Sequence, residues 1–323
     1  MAILSKMYFN AVFGALGGLL GWILFGIFGD KNPSPDAALS ILCISISHLD
    51  LNTLLGGALI GGMIGYFVVS VEAIRDQSLV RFARLASYGV VIAMLGGAIG
   101  MYIGDRIQQL FARMVDEVLP LKMLARGLGW SLLGIAIGAS EGLAARSLGK
   151  FSYGTIGGLL GGFVGGVLFQ FFYELAERGT TTAYFGSAMG LIILGACIGS
   201  LSAFVQTVFQ PANVKVLRGW QEGREYPLDK PVNQFGREEH SDVALFRDMK
   251  IQKRHCSIQN VNGQYVLVNT GAPPELTLVN ELPVSGQQVL KDGDRIQLGD
   301  VIMRFQLRAA KASGPRRKAV PAA

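Results

Sequence analysis

The chain has 323 residues, of which 50% are hydrophobic and only 16% charged, with 29 Lys and Arg against 23 Asp and Glu. Mean hydropathy is +0.40, and the charged fraction lies well below the ~25% of an average soluble domain, which excludes a chain that is soluble throughout. The net charge of +6 does not point to nucleic acid, because no basic stripe with interleaved aromatics is present.

Charges are sparse from Ala11 to Phe209 and dense from Lys215 onward. This divides the chain into a membrane part (1–210), a soluble part (211–308) and a basic tail (309–323). Apolar segments of spanning length run over Phe9–Phe28, Leu54–Val71, Tyr88–Ile107, Leu128–Ala145, Tyr153–Leu175 and Tyr184–Phe209. The first follows Lys6, but Phe25-Gly26-Ile27-Phe28-Gly29-Asp30 lacks a small-residue cleavage pattern, so it reads as a retained helix. Six buried helices without a polar face would not fit a soluble domain of this size. The expectation is therefore an all-α membrane domain of six spanning helices.

These helices repeat in pairs. Ser87-Tyr88-Gly89 and Ser152-Tyr153-Gly154 open the third and fifth segments alike. The runs Glu72 to Leu79 and Glu141 to Leu148 follow the second and fourth. Three helix hairpins from one ancestral unit account for this, although the last helix lacks the acidic residue. Glycines recur every fourth residue, as in Gly96, Gly100, Gly104; Gly134, Gly138, Gly142; and Gly157, Gly161, Gly165. In lipid such a stripe lets backbones approach to van der Waals contact, so Gly100, Gly138, Gly161 and Gly165 are expected to pack helices, within one chain or between copies in a homo-oligomer. Glycine-lined helices also line transport paths, and Glu141 with its counterpart Glu72 would be the ionisable pair of such a path. Their places near segment ends, beside Arg146 and Arg75, fit interfacial capping or pairing instead.

Between the spans, Asp36 to Leu51 reads as a short interfacial or re-entrant piece. Ile107, Leu110, Phe111, Met114 and Val118 read as an amphipathic surface helix that Pro120 stops. Arg75, Arg81, Arg84, Arg146 and Lys150 share a side with Lys6 and the tail, which places both termini in the cytoplasm.

After Gln210-Pro211-Ala212-Asn213 the pattern changes to short strands between turn residues. Candidates are Val214–Leu217, Glu225–Leu228, Val232–Phe235, Val243–Leu245, Cys256–Gln259, Tyr265–Val268, Thr277–Val279, Gln287–Leu290, Arg295–Leu298 and Val301–Leu307. Asn262-Gly263 marks a two-residue hairpin and Asp292-Gly293-Asp294 another turn. Met303, Phe305 and Leu307 alternate with Arg304, Gln306 and Arg308, giving one buried and one wet face. Cys43, Cys197 and Cys256 have no metal or disulfide spacing, and His48, His240 and His255 are too far apart to form a cluster. No metal, cofactor or catalytic pair is expected.

Phe235-Gly236-Arg237, then Gln252-Lys253-Arg254-His255, then Leu290 to Gly299 resemble, in order and separation, a forkhead-associated (FHA) domain. The resemblance implies an all-β sandwich that reads phosphothreonine peptides through loops at one end. It carries peptide or phosphate positioning to Arg237 and bracing of the loops to His255, with Gly236 beside them. The phosphate-binding serine of the family is Gln252 here, and no Asn-Gly pair stands in the loop from Asn269 to Glu275. Arg237, Lys253 and Arg254 can still supply charged donors, whereas Glu275 would repel phosphate. The chain thus reads as a multi-pass protein of a bacterial inner membrane, with lipid around its helices and a cytoplasmic FHA domain. That domain docks a protein partner, threonine-phosphorylated or not. The rival reading is a transporter or channel with a regulatory FHA domain.

Overall fold

The computed structural model describes residues 2–28, 51–76, 79–114, 119–178, 183–238 and 240–308. They form two compact units that divide after Phe209.

The first unit holds six helices: α1 (Ala2–Phe28), α2 (Leu51–Asp76), α3 (Leu79–Met114), α4 (Leu119–Ala145), α5 (Leu148–Arg178) and α6 (Ala183–Phe209). All six are long and apolar enough to cross a membrane. Each packs against its neighbours in sequence, and α1 packs against α6, so the helices close into a ring. The interior of the ring is filled. Ile64, Ile137, Leu194 and Ile198 are completely buried in one cluster with Trp130 and Phe169.

Glycine sets the spacing of the ring in two ways. Within hairpins, Gly17 abuts the backbone of Ile64, Gly100 that of Leu133, and Gly161 that of Ile198, while Gly165 meets Leu194. Between hairpins glycine meets glycine: Gly57 against Gly97, Gly134 against Gly158, Gly138 against Gly154, and Gly14 against Gly195 across the closing seam. A methyl group at any of these positions would fall on the facing helix.

Two details differ from expectation. The residues Ile107 to Met114 continue α3 without a break instead of forming a separate surface helix. Pro120 opens α4, where its missing N–H costs nothing because the first turn has no intrahelical acceptor. Glu141, read as a group that caps or pairs, is buried and accepts a 2.6 Å hydrogen bond from Gln206 Nε2 of α6. The side chain of Glu72, the piece from Asp36 to Asp50, Cys43 and His48, and the tail 309–323 lie outside what is described.

The second unit is a β-sandwich. One sheet has six strands in the order β2-β1-β11-β10-β7-β8, and the other has five in the order β4-β3-β5-β6-β9. The strands are β1 (Ala212–Arg218), β2 (Glu225–Pro227), β3 (Val232–Gly236), β4 (Val243–Ala244), β5 (Cys256–Val261), β6 (Gln264–Asn269), β7 (Thr277–Val279), β8 (Leu282–Pro283), β9 (Gln287–Val289), β10 (Arg295–Leu298) and β11 (Val301–Leu307). Phe235, Ile258, Leu267, Ile296, Met303 and Phe305 fill the space between the sheets. Asn262 (φ 52°) and Gly263 (φ 84°) make the β5–β6 turn with both residues left-handed, as an Asn-Gly hairpin requires. Every expected strand is present. β8 has no counterpart in the sequence reading, because its two residues are both exposed and carry no alternation. Leu307 is 39% exposed, so the buried face of β11 ends at Phe305.

Candidate functional site

β3 ends at Gly236, and the chain before β5 runs alongside it. The N–H of Arg237 donates to Gln252 O (2.9 Å), that of Glu238 to Lys253 O (3.3 Å), and that of His255 to Phe235 O (2.9 Å). A side chain on Gly236 would collide with the Lys253 carbonyl. Glycine is therefore the residue that lets Arg237 and the 252–254 segment come together, and on the described side chains Gln252, Lys253 and Arg254 all face solvent.

His255 lies beneath this segment, fully buried. Its Nδ1 accepts the backbone N–H of Gln252 at 3.2 Å. The ring proton therefore sits on Nε2, which points at Thr277 Oγ1 (2.9 Å) and Leu276 O (3.2 Å). Burial lowers the imidazole pKa below its ordinary 6.5, opposed in part by the hydrogen bond to the Leu276 carbonyl and by Asp248. The ring is thus neutral and joins the 252–255 segment to the start of β7.

The third loop is held by Asn269. Its Oδ1 accepts the N–H groups of Gly271 (3.1 Å) and Ala272 (2.9 Å), and its Nδ2 donates to Ala272 O (2.9 Å) and Val284 O (2.8 Å). Thr270 Oγ1 donates to Arg254 O at 3.1 Å, which links this loop to the charged segment. The loop ends in a short 3-10 turn, Pro274–Leu276, which carries exposed Glu275.

The charged groups are partly engaged. Arg237 Nη1 lies 2.9 Å from Met249 Sδ, a weak acceptor that an anion would readily displace. Arg254 Nε is 3.7 Å from Glu238 Oε2, an exposed pair. Lys253 has no ion pair among the described residues. Beside Arg237, a cavity of about 350 Å³ is lined by Trp220, Leu245, Phe246 and Met249, with the Arg247 guanidinium stacked 3.1 Å above the Trp220 ring. Lys250 Nζ closes one side of it on Asp300 at 2.7 Å, a hydrogen bond that raises the lysine pKa.

Sequence reasoning did not find Asn269, Met249 or Thr277. Asn269 carried a local signal, an Asx residue two before a glycine. Thr277 carried none, since its role depends on a partner across the fold. Among the described residues no cluster of His, Cys, Asp or Glu is arranged to hold a metal ion.

This sandwich, with Gly236-Arg237 and His255 at one end, is the FHA architecture. Comparison with known proteins agrees. Residues 215–309 match the family model described as the inner membrane component of T3SS, cytoplasmic domain. An oxoglutarate dehydrogenase inhibitor of Corynebacterium diphtheriae is 31% identical over 110 residues, covering 33% of this chain and 75% of that protein. The glycogen accumulation regulator GarA of Mycolicibacterium smegmatis is 34% identical over 90 residues, 28% of this chain and 55% of GarA. Among solved structures, one from an analysis of phosphothreonine-dependent FHA domain interactions is 26% identical over 31% of this chain and 98% of that one, with a TM-score of 0.28. The FhaA FHA domain, solved in complex with the intracellular domain of another protein, is 27% identical over 29% and 99%, with a TM-score of 0.27. The chain belongs to the FHA-domain family, its FHA domain following six apolar helices.

Proposed function

We propose that this protein is a non-catalytic adaptor of the bacterial inner membrane, crossing it six times with both termini in the cytoplasm, and that its FHA domain docks a threonine-phosphorylated protein. One observation supports the reading: backbone hydrogen bonds from Arg237 and Glu238 to Gln252 and Lys253 set Arg237 and the exposed Lys253 on neighbouring loops that His255 and Asn269 hold. Two cations on such loops suit a phosphate dianion, which favours charged donors. Family membership supports the same ligand class.

The filled ring interior supports an anchoring role for the helices over a conducting one. The test is titration of the purified full chain with phosphothreonine peptides and their unphosphorylated twins. Binding that requires the phosphate supports the reading. Equal binding of both would mean that the domain docks its partner through another surface.

A further inference from the structure

The outer face of the six-stranded sheet holds an arrangement that phosphopeptide docking does not use. Lys215 of β1 lies directly opposite Arg304 of β11, and Arg304 directly opposite Arg295 of β10. Three cations thus stand in one row across neighbouring strands spaced ~4.8 Å apart. Like charges in direct cross-strand register destabilise a sheet. Among the described residues the row pairs with Glu225 at its end, 3.6 Å from Lys215 with both side chains more than a third exposed. On either side of the row, Asn213 of β1 pairs with Gln306, and beyond the irregularity after Val216 Arg218 pairs with Ile302, which faces Gln297; none of these carries a carboxylate.

The place of this face along the chain is also fixed. α6 reaches spanning length at Phe209, and β1 begins at Ala212. The N–H of Arg308, the next residue after β11, donates to the carbonyl of Pro211 at 3.0 Å. Pro211 is two residues beyond Phe209, about 7 Å of extended chain. The backbone of a fourth basic residue, Arg308, is therefore tied to the residue that follows α6 by two positions in the chain.

We propose that this face is a binding surface for anionic lipid headgroups of the membrane in which α6 ends. Each basic residue near such a surface contributes about 1 kcal/mol, and the negative headgroups relieve the repulsion within the row. A nucleic acid is the poorer fit, because the outward positions offer no aromatic ring for base stacking.

The test uses the full chain with Cys43→Ser, carrying a fluorophore on Gln306→Cys of this face or, as control, on Gln264→Cys of the other sheet. It is placed in nanodiscs of phosphatidylcholine alone or mixed with phosphatidylglycerol, with a headgroup quencher. Quenching at Gln306→Cys is expected to rise with phosphatidylglycerol and to fall at high salt, while Gln264→Cys stays constant. Each of Lys215→Gln, Arg295→Gln and Arg304→Gln should lower the docked-to-undocked ratio about fivefold. These exposed substitutions keep the fold, which unchanged phosphopeptide titration would verify. Quenching that ignores phosphatidylglycerol, or that is equal on both sheets, overturns the proposal. So does quenching unchanged in the triple glutamine variant.

Discussion

The backbone N–H of Gln252 donates to Nδ1 of His255, and this single bond places the imidazole proton on the nitrogen that faces Thr277. The segment with the charged side chains is thereby tied to β7 through a neutral ring. Because burial holds the His255 pKa below 6.5, the unfolded chain binds more protons than the folded one between the folded value and 6.5. Stability contributed by the neutral ring is complete above that range and is lost as pH falls through the folded pKa. Urea melts of the domain should show a lower midpoint at pH ~5 than at pH ~7.5. His255→Ala should remove that contribution to the slope. It should also cost about 2–3 kcal/mol at neutral pH, because Thr277 Oγ1 and the Gln252 N–H lose their partner. A melt insensitive to both changes would mean that the ring is not a tie.

Gly236 and Lys253 give a second prediction. The Lys253 carbonyl occupies the space of a β-carbon on Gly236, and it is backbone, held by the Glu238 N–H. Gly236→Ala should cost about 1–3 kcal/mol, as overpacking does. It should also shift amide resonances of residues 252–255 more than those of the β5–β6 hairpin. Denaturation with resonance mapping separates this local effect from general unfolding.

Glu281 stands in a left-handed conformation (φ 69°) after Asn280 (φ 50°), in the two-residue turn that pairs Val279 with Leu282. Asn280 is pinned there, its Oδ1 accepting the Arg295 N–H at 2.9 Å and its Nδ2 donating to Asp294 at 2.9 Å. Glu281 gains nothing comparable from its conformation, which costs roughly 1–2 kcal/mol for a residue with a β-carbon. Glu281→Gly should raise the stability of the domain by about 1 kcal/mol, seen as a thermal midpoint several degrees higher. No change would show that the turn relaxes in solution.

How much of this was legible beforehand follows the range of the interactions. Spanning helices and the Asn262-Gly263 hairpin were readable because each is fixed by composition or by adjacent residues. The extension of α3 to Met114 was not, since a change from apolar to amphipathic periodicity marks a helix leaving the bilayer as well as a new helix beginning. Closure of the ring through Gly14 and Gly195 depends on residues far apart in the chain, and no local pattern encodes it. The same holds at the site. Arg237 and His255 stood out by resemblance, whereas Thr277 and the occupation of Arg254 by Glu238 needed the folded loops.

In the ring, Gly138 and Gly154 pack so closely that each β-carbon would strike the carbonyl of the other, and Gly161 lies against Ile198 and the Cys197 carbonyl. Gly138→Leu and Gly161→Leu force those helices apart and should sharply lower the melting temperature of the full chain in detergent. Leu159→Ala, an exposed position on the same helix as Gly161, should have little effect. Equal stability of all three variants would mean that the glycine contacts do not hold the ring together.

The last prediction concerns the charged end of the sandwich. If the domain reads phosphothreonine, Arg237 leaves Met249 for the phosphate, and Lys253 supplies the second charge. A charge-assisted hydrogen bond is worth roughly 1.5–3 kcal/mol, so Arg237→Ala should weaken phosphopeptide binding about ten- to a hundredfold. Arg254 is a weaker contributor because Glu238 sits 3.7 Å from it. Glu238→Gln should free that guanidinium and remove a nearby negative charge, which strengthens binding severalfold at low salt and less at high salt. Gln252→Ser shortens the donor arm at the position beside the Arg237 backbone and should hold or improve affinity. Titration of the four proteins with one phosphopeptide and its unphosphorylated twin reads all three effects. Binding indifferent to Arg237→Ala, or weakened by Glu238→Gln, would show that the anion-recognising end has become a surface for a different, uncharged contact.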